Sequence, residues 1–408
     1  MKKIFAIVAL LLAIAASAGA QVAPAATAGP AYLRYSARYA ETAGFYSGDS
    51  SHDQQRAIAS GNVAYSNGGE RLPFTLTYGG GYAWTIAGPD DNSRFFQHLS
   101  LTQGFIGAKW NAIVTDNVSY LPQSSTVGFT GVPGTGEPIG GEGSTGPSSQ
   151  SVLTIDTPVI TNIASGEFSR TLNYATRFSF GGSWEIMRFP DGNGQDNDRQ
   201  GANGQVSRRL NARNSLIGQY SFAQFSYGGS PDTFSTETAS AGFSRTWSRQ
   251  ITTFASVGPQ WTQSSNTAVV PDSTGLAVSA SISDRLRFGI ASLAYTHGKG
   301  SGGGFLLGAE VDAVSAGFSR EFGQNVTVGA EGTYRRTVGL INNGEVNGKY
   351  GGVQASRQLG RSFNVFASYT AIDQSSSLTF GNGVLTQFQQ VIGFGIGYTP
   401  RRTHLFRH

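Results

Sequence analysis

Few side chains in this sequence combine a reactive type with a spacing that chemistry needs. The chain of 408 residues has no cysteine, which removes thiolate nucleophiles, disulfides and Cys-ligated metals. Its five histidines are His52, His98, His297, His404 and His408. The last two are spaced like metal ligands but have no acidic neighbour. His52 beside Asp53, or His98 near Ser100, could serve a hydrolase, yet neither pair lies in a specific motif. We therefore expect no enzyme, no metal site and no cofactor.

Two loops resemble ligand-binding motifs only in outline. The Gly-rich stretch at Gly134–Gly136 lacks the Lys-Ser/Thr of a phosphate loop and follows no strand-to-helix pattern. The acidic stretch from Asp191 looks like a calcium loop, but Asp196 occupies the sixth position, where glycine is needed. Ala202 occupies the twelfth, where glutamate is needed. We interpret both stretches as surface loops, and a weak divalent-ion site is the alternative for the second.

The overall charge gives no support to nucleic-acid binding. Charged residues make up 13% of the chain, and glycine alone accounts for 56 positions. Removing Lys2 and Lys3 from the 29 basic residues leaves 27 against 25 acidic ones, dispersed along the chain.

A Ser-Arg motif recurs through the second half of the chain and shows how it is organised. It stands as Gly-Phe-Ser-Arg at residues 242–245 and 317–320, and in related forms elsewhere. The aligned serines, 36 to 39 residues apart, are Ser169, Ser207, Ser244, Ser283, Ser319 and Ser356. A period this regular indicates one supersecondary unit used repeatedly.

Alternation within the repeat identifies the unit as a β-hairpin. After Asn325, apolar or aromatic residues occupy every second position from Val326 to Tyr334, and polar or small residues lie between them. A period of two predicts a strand with one apolar face. The whole chain then holds about 18 antiparallel strands, with 16 as the alternative. A soluble sandwich or propeller is disfavoured, because the apolar faces hold too little Leu and Ile for a packed interior.

The termini and one internal stretch lie outside this pattern. Residues 1–20 have the positive start, apolar centre and Ala18-Gly19-Ala20 end of a secretory signal peptide. Residues 21–31 are expected to be a periplasmic tail, 32–399 a β-barrel and 400–408 a C-terminal tail. Within the barrel, residues 122–159 form a long Gly/Pro-rich loop, which folds into the lumen or lies outside it.

Aromatic and basic residues mark the two ends of the expected barrel. Trp110 and Trp247 fall at the short-turn end, and Trp84, Trp184 and Trp261 towards the long-loop end, as in two membrane girdles. The repeated arginines would lie at the periplasmic interface, either reaching lipid phosphates or capping turns. These arginines are Arg170, Arg208, Arg245, Arg320 and Arg357.

Signal peptide, hairpin repeats, girdles and an even strand count together resemble Gram-negative outer-membrane β-barrels of the porin-like class. The resemblance implies a transmembrane antiparallel up-and-down β-barrel in the outer membrane. It implies contact with outer-membrane lipid and lipopolysaccharide and with the outer-membrane assembly machinery, and leaves a homo-oligomer open. Barrels of this class usually end on an aromatic residue that the assembly machinery recognises. This chain departs from that pattern, because Phe406 is followed by two more residues.

A barrel of this width leaves an aqueous lumen, so the expected function is passive diffusion of small polar solutes. Arg177, Glu185, Glu331 and Arg335 should line the pore, and their mixed signs predict weak ion selectivity. The alternative is a non-conducting structural barrel or a partner of surface-polymer export, and a barrel hydrolase is a minor alternative.

Overall fold

The computed structural model describes residues 29–46, 53–88, 93–121, 158–192, 195–228, 232–267, 270–287, 289–300, 306, 308–323, 325–341, 344–377, 379–380, 383–384, 387–400 and 403–404. The expected signal peptide, most of the 122–159 loop, His52, Phe406 and His408 lie outside these residues. No helix long and apolar enough to cross a membrane occurs in the described ranges.

Eighteen long strands form the fold. In chain order they are β1 Gly29–Tyr46, β2 Gln54–Gly68, β3 Phe74–Ala87, β4 Arg94–Ile106, β5 Trp110–Leu121, β6 Val159–Thr171, β7 Thr176–Arg188, β8 Asn197–Arg209, β9 Asn214–Tyr227, β10 Thr233–Thr246, β11 Ile251–Ser264, β12 Ser273–Leu286, β13 Gly289–Gly300, β14 Ala309–Phe322, β15 Val326–Gly339, β16 Glu345–Leu359, β17 Phe363–Ser376 and β18 Gln387–Tyr398.

Every strand pairs antiparallel with the next, and the first strand closes the ring. One edge of β1 pairs with β2, and the other pairs with β18 from Ala37↔Tyr398 to Tyr46↔Gln389. The predicted fold class and strand count are therefore confirmed. Closure leaves no open sheet edge, which is the condition for a sheet to span a membrane.

The alternation read from the sequence becomes an inside and an outside. Along β15, Val326, Val328 and Tyr334 face outwards, while Glu331 and Arg335 face the lumen. Outward apolar side chains on many strands keep 42% to 50% of their surface exposed, among them Leu216, Phe243, Val257, Leu276, Leu293 and Val353. So much contiguous apolar exterior suits lipid rather than water.

Ion pairs mark the outer face near the long-loop ends of the strands. Arg336 Nη2 lies 2.9 Å from Glu345 Oε2, and Lys349 Nζ lies 2.9 Å from Asp373 Oδ2. All four side chains point outwards by register. On β15 to β17, the apolar band of the outer face therefore ends on the short-turn side of these ion pairs.

Tight turns at the Ser-Arg end explain why the repeat is so regular. The Leu172 N–H donates to the Thr176 carbonyl at 3.0 Å, and the Leu210 N–H to the Asn214 carbonyl at 2.9 Å. In each turn one side-chain oxygen accepts two backbone N–H groups; in the second, Asn211 Oδ1 accepts them from Arg213 and Asn214, each at 2.9 Å. Short side-chain acceptors of this kind favour turns.

Three local features differ from the sequence expectation. Strand β1 begins at Gly29, inside the stretch expected to be a tail. A short hairpin, Thr379–Phe380 with Gly383–Val384, stands between β17 and β18. Beyond Pro400, Thr403–His404 pairs with Leu33 and Tyr32 of β1 and so continues the edge that β18 occupies.

Candidate functional site: the lumen

The strand register turns all four predicted pore-lining residues towards the lumen, but in different surroundings. Glu185 is 4% exposed and its Oε2 lies 3.4 Å from Arg199 Nη1 of the neighbouring strand. Glu331 Oε1 accepts the Tyr350 hydroxyl at 2.7 Å. Arg335 is also 4% exposed, with its Nε 3.4 Å from Thr337 Oγ1. These three are largely covered, so they offer a passing solute little surface.

Arg177 lies nearer the short-turn end, close to β5 and β6. Its Nη2 donates to Ser169 Oγ at 2.7 Å, and Ser169 in turn donates to Asn111 Oδ1. The three side chains come from β7, β6 and β5, so this arginine fixes a polar network along the wall. Its guanidinium remains an exposed positive charge beside that network.

A second set of arginines, which the sequence reasoning missed, forms one wall of the lumen. Arg34 and Arg38 on β1, Arg56 on β2 and Arg94 on β4 all occupy inward positions by register. None of the inward positions of β1 to β5 within the described residues is Asp or Glu. We name the surface formed by Arg34, Arg38, Arg56 and Arg94 the arginine wall. Its field is positive, in contrast to the mixed signs of the four predicted residues.

An apolar row runs through the arginine wall. Phe366, Gly395, Ala40, Ile58 and Ala83 follow one another across β17, β18, β1, β2 and β3. The row ends at Arg94, which pairs with Ala83. Two aromatic rings pack close to glycines in this region: a Cβ on Gly395 would be 2.5 Å from Phe366, and one on Gly81 would be 2.5 Å from Phe96. The absence of a side chain at these glycines thus leaves space for the two rings.

Arginines border this apolar row on both sides. Arg38 lies two residues before Ala40 on β1, towards the short turns. Arg56 lies two residues before Ile58 on β2, towards the long loops, and its Nη2 donates to Gln54 Oε1 at 2.6 Å. Ala40, Ile58, Ala83 and Phe366 of the row are 1% to 5% exposed and form a packed cluster, whereas the bordering arginines are half-buried.

The opposite wall carries an apolar cluster at the long-loop mouth. Phe225 on β9 and Phe234 on β10 stack with ring centroids 4.7 Å apart, and both are 2% exposed. Val270, from the connection before β12, is buried against them, and Leu340 and Ile341, which follow β15, also pack against the cluster. We name the group of Phe225, Phe234, Val270, Leu340 and Ile341 the mouth cluster. Because it contains segments from distant connections, it narrows the opening.

One hydrogen bond shows how far a connection reaches over the lumen. The Gly308 N–H donates to the Tyr227 hydroxyl at 2.9 Å, which joins the segment before β14 to the end of β9. Four strands separate β9 from β14 along the wall. Gly308 has φ of 75°, and a Cβ there would lie 2.9 Å from both Phe234 and Leu340. Only glycine suits this crossing point.

Lys299, near the end of β13, adds a further positive charge to the lumen. The alternation of β13 alone would place this side chain on the outer face. Pairing of β12 with β13 ends at Val278↔His297. Beyond it the Lys299 backbone N–H donates to Gln260 Oε1 at 2.8 Å, and its Nζ donates to Ser273 Oγ at 2.6 Å. Gln260 and Ser273 are inward positions of β11 and β12. The end of β13 therefore crosses the lumen side of β12.

The structure places the predicted aromatic and basic interface residues on the outer face. By register, Trp84, Trp110, Trp184 and Trp261 point outwards. Trp247 follows β10, and its Nε1 donates to Thr253 Oγ1 at 3.0 Å. The arginines of the repeat, Arg170, Arg208, Arg245, Arg320 and Arg357, also point outwards.

Individual arginines of this row pack on rings of their own strand ends. The Arg245 guanidinium lies 3.9 Å from the Trp247 ring centroid, and that of Arg320 lies 4.8 Å from the Phe322 ring. Turn capping is instead performed by Arg209, whose Nη2 donates to the Tyr174 carbonyl at 2.9 Å. Arg209 is an inward residue next to the predicted row.

Two side chains of the candidate chemical groups, within the described residues, have partners from neighbouring strands. Ser100 Oγ donates to Asn117 Oδ1 at 2.6 Å, across from β4 to β5. His297 Nδ1 lies 2.8 Å from Asp312 Oδ1 on the outer face. No group of three His, Asp or Glu side chains fit to hold a metal ion occurs in the part of the chain that the structure describes.

A closed barrel of 18 strands, apolar outside and largely polar inside, has the architecture of a transmembrane β-barrel. No known protein family and no curated protein matches the sequence. Solved structures with a similar barrel include Pseudomonas aeruginosa OccK5 (OpdH), at 10% identity and TM-score 0.47, covering 92% of this chain and 98% of that one.

Two further structures are similar at the same level. Acinetobacter baumannii OccAB4 has 9% identity and TM-score 0.48, covering 93% of this chain and 100% of that one. BauA, the ferric preacinetobactin receptor of Acinetobacter baumannii, has 10% identity and TM-score 0.45, covering 92% and 80%. At such identities, the likeness concerns the fold alone.

Proposed function

We propose that this protein is an outer-membrane channel that lets small polar solutes diffuse passively through its lumen, with a preference for anions. The observation that carries the preference is the arginine wall. Four inward guanidinium groups lie on β1, β2 and β4, and no inward carboxylate occurs on β1 to β5 in the described residues. Anions are concentrated by such a surface and cations are repelled.

The chemistry of arginine adds a preference among anions. Arginine binds carboxylates and phosphates in a bidentate manner, which favours oxyanions over halides. We therefore propose small oxyanions as the preferred solutes.

The test of this proposal is ion selectivity measured in a planar bilayer. With a potassium chloride gradient across the bilayer, the reversal potential of the wild-type channel should indicate preference for chloride. The triple variant Arg38→Gln, Arg56→Gln, Arg94→Gln should lose most of that preference. Arg320→Gln, which removes a charge from the outer face, serves as the matched control and should leave the reversal potential unchanged. Cation preference in the wild type would contradict the proposal.

One observation favours the alternative of a barrel that conducts little by itself. The mouth cluster joins the connections that follow β11 and β15, and Tyr227 anchors a third, before β14, through Gly308. A barrel closed in this way would act as a structural element or as the partner of an export system. Wild-type protein that inserts into the bilayer and carries no current would favour this second function.

A further inference from the structure

A small cavity opens on the outer face of the barrel at the short-turn end, away from the lumen. Its volume is about 310 Å³, and it is lined by Lys109, Trp110, Phe168 and Arg170. Trp110 is the first residue of β5 and pairs directly with Arg170 near the end of β6. Both residues point outwards, so the cavity faces the membrane interface rather than the solute path. We name it the Lys109–Arg170 cavity.

The walls of the cavity are held by the backbone around the turn between β4 and β5. The Gly107 N–H donates to the Trp110 carbonyl at 2.8 Å, and the Thr171 N–H donates to the Lys109 carbonyl at 2.8 Å. The indole of Trp110 lies across Gly107, where a Cβ would be 2.3 Å from Nε1. Trp110 and Phe168 stack with centroids 6.0 Å apart and planes 25° apart. The aromatic side of the cavity is thus a fixed surface.

The charge of the cavity is wholly positive. Lys109 and Arg170 contribute two cations, and no acidic residue lines it. Within the described residues, no ion pair or side-chain hydrogen bond involves either cation. Two neighbouring cations without a carboxylate attract an anion with at least one acceptor oxygen for each.

Two other arginines of the same row have different surroundings. Arg245 and Arg320 lie over Trp247 and Phe322 of their own strand ends. Arg170 instead shares a cavity with a second cation and an aromatic pair. The Lys109–Arg170 cavity therefore differs from these other arginine positions of the repeat.

We propose that the Lys109–Arg170 cavity binds the headgroup phosphate of an anionic glycerophospholipid in the periplasmic leaflet. Lys109 and Arg170 would contact the phosphodiester oxygens, and the glycerol would lie against Trp110. The acyl chains would follow the apolar outer face of β5 and β6, where Ala112 pairs with Phe168. Basic pockets at membrane interfaces recognise anionic headgroups in this way. The inference does not depend on whether the lumen conducts.

The test measures which lipid lies against Trp110. A variant with Trp84, Trp184, Trp247 and Trp261 changed to Phe keeps Trp110 as its one tryptophan. It is refolded into phosphatidylcholine vesicles that contain a minor fraction of bromine-labelled phosphatidylglycerol or, separately, bromine-labelled phosphatidylcholine. Labelled phosphatidylglycerol should quench Trp110 fluorescence much more strongly at equal mole fraction. Equal quenching by the two lipids would overturn the proposal.

Charge variants then test the two cations. In the same background, Lys109→Gln with Arg170→Gln should weaken the relative affinity for phosphatidylglycerol roughly 30-fold, from about 1 kcal/mol for each basic residue near an anionic surface. Lys109→Arg keeps the charge and should retain the preference, which guards against a folding defect. Arg245→Gln with Arg320→Gln is the matched control. An equal loss in that control would show general surface attraction and overturn the site.

A final arm separates the lipid from free phosphate. Inorganic phosphate in the buffer should not restore Trp110 fluorescence quenched by labelled phosphatidylglycerol, since the bound lipid is also held by its acyl chains. Restoration at phosphate concentrations comparable to those of the lipid would show a general anion site and contradict the proposal. Conductance of the same variants should remain at the wild-type value in every arm, because the cavity lies outside the lumen.

Discussion

At the scale of single residues, the lumen depends on side chains whose neighbours decide whether a solute can reach them. Glu185 and Arg335 are each 4% exposed, so their charges act at a distance and not by contact. Arg56 and Arg94, by comparison, are half-buried inward side chains, so more of their charge lies at the surface of the lumen.

At Gly308, both the backbone conformation and the packing favour glycine. Its φ of 75° lies in the left-handed region, and an added side chain would meet Phe234 and Leu340 at 2.9 Å. Gly308→Val should therefore lower the free energy of unfolding by at least about 1 to 2 kcal/mol. The measurement is guanidinium unfolding of the refolded protein in vesicles.

The matched control is Gly351→Ala on β16, where an added Cβ meets nothing within 4 Å. That change should alter the free energy of unfolding by no more than about 0.5 kcal/mol. A Gly308 variant as stable as this control would contradict the assigned role of the crossing segment.

At the scale of elements, the hairpin repeat depends on turns that hold themselves in shape. Asn211 Oδ1 accepts two backbone N–H groups, and Asn173 does the same for Ala175 and Thr176 at 2.9 Å each. Asn211→Ala should cost about 1 kcal/mol of unfolding free energy, because both donors lose their acceptor. Asn211→Asp retains the acceptor and should stay near wild type. The same unfolding assay compares the two, and equal stability would contradict the role.

The connections at the other end act on the opening and not on stability alone. Leu340 belongs to the mouth cluster, and Leu306, which is 9% exposed, lies 3.3 Å from where a Cβ on Gly339 would stand. Changing both to Ser should release the segments and raise the single-channel conductance. Leu359→Ser, at the short-turn end of β16 and 43% exposed, is the control and should leave conductance unchanged. Lower conductance in the double variant would contradict a narrowing role.

At the scale of the whole molecule, closure by β1 and β18 decides what the interior can be. An 18-stranded ring is too wide for its inward side chains to fill, so the middle of the lumen remains open unless connections enter it. The mouth cluster fills one side at the long-loop end, and the arginine wall remains on the other. Under the proposed function, the positive field of that wall acts on the solutes that pass.

Alternation of residue types predicted the fold because each strand of a barrel has one lipid face. Val326 to Tyr334 on β15 needed no tertiary information to be recognised. It also predicted which way Glu331 and Arg335 point. The arginine wall was open to the same reasoning, since Arg34 and Arg38 stand at alternate positions of β1, but the face of that strand was not assigned.

Other features of the candidate site could not be read from the sequence. The contact of Gly308 with Tyr227 joins residues 81 positions apart, and no local pattern encodes it. The inward course of Lys299 follows from where the pairing of β12 with β13 ends, at Val278↔His297. The Lys109–Arg170 cavity needs the register of β5 on β6, which brings Arg170 opposite Trp110.

Passive diffusion through the lumen is tested by single-channel conductance of the chain from Gln21 on, refolded and inserted in a planar bilayer with salt on both sides. A solute channel with an open lumen should give steady conductance steps of the size typical of wide pores. Folding and insertion are checked separately, so a silent bilayer cannot be attributed to failed refolding. Protein that is folded and inserted yet passes no current would contradict the account of passive diffusion.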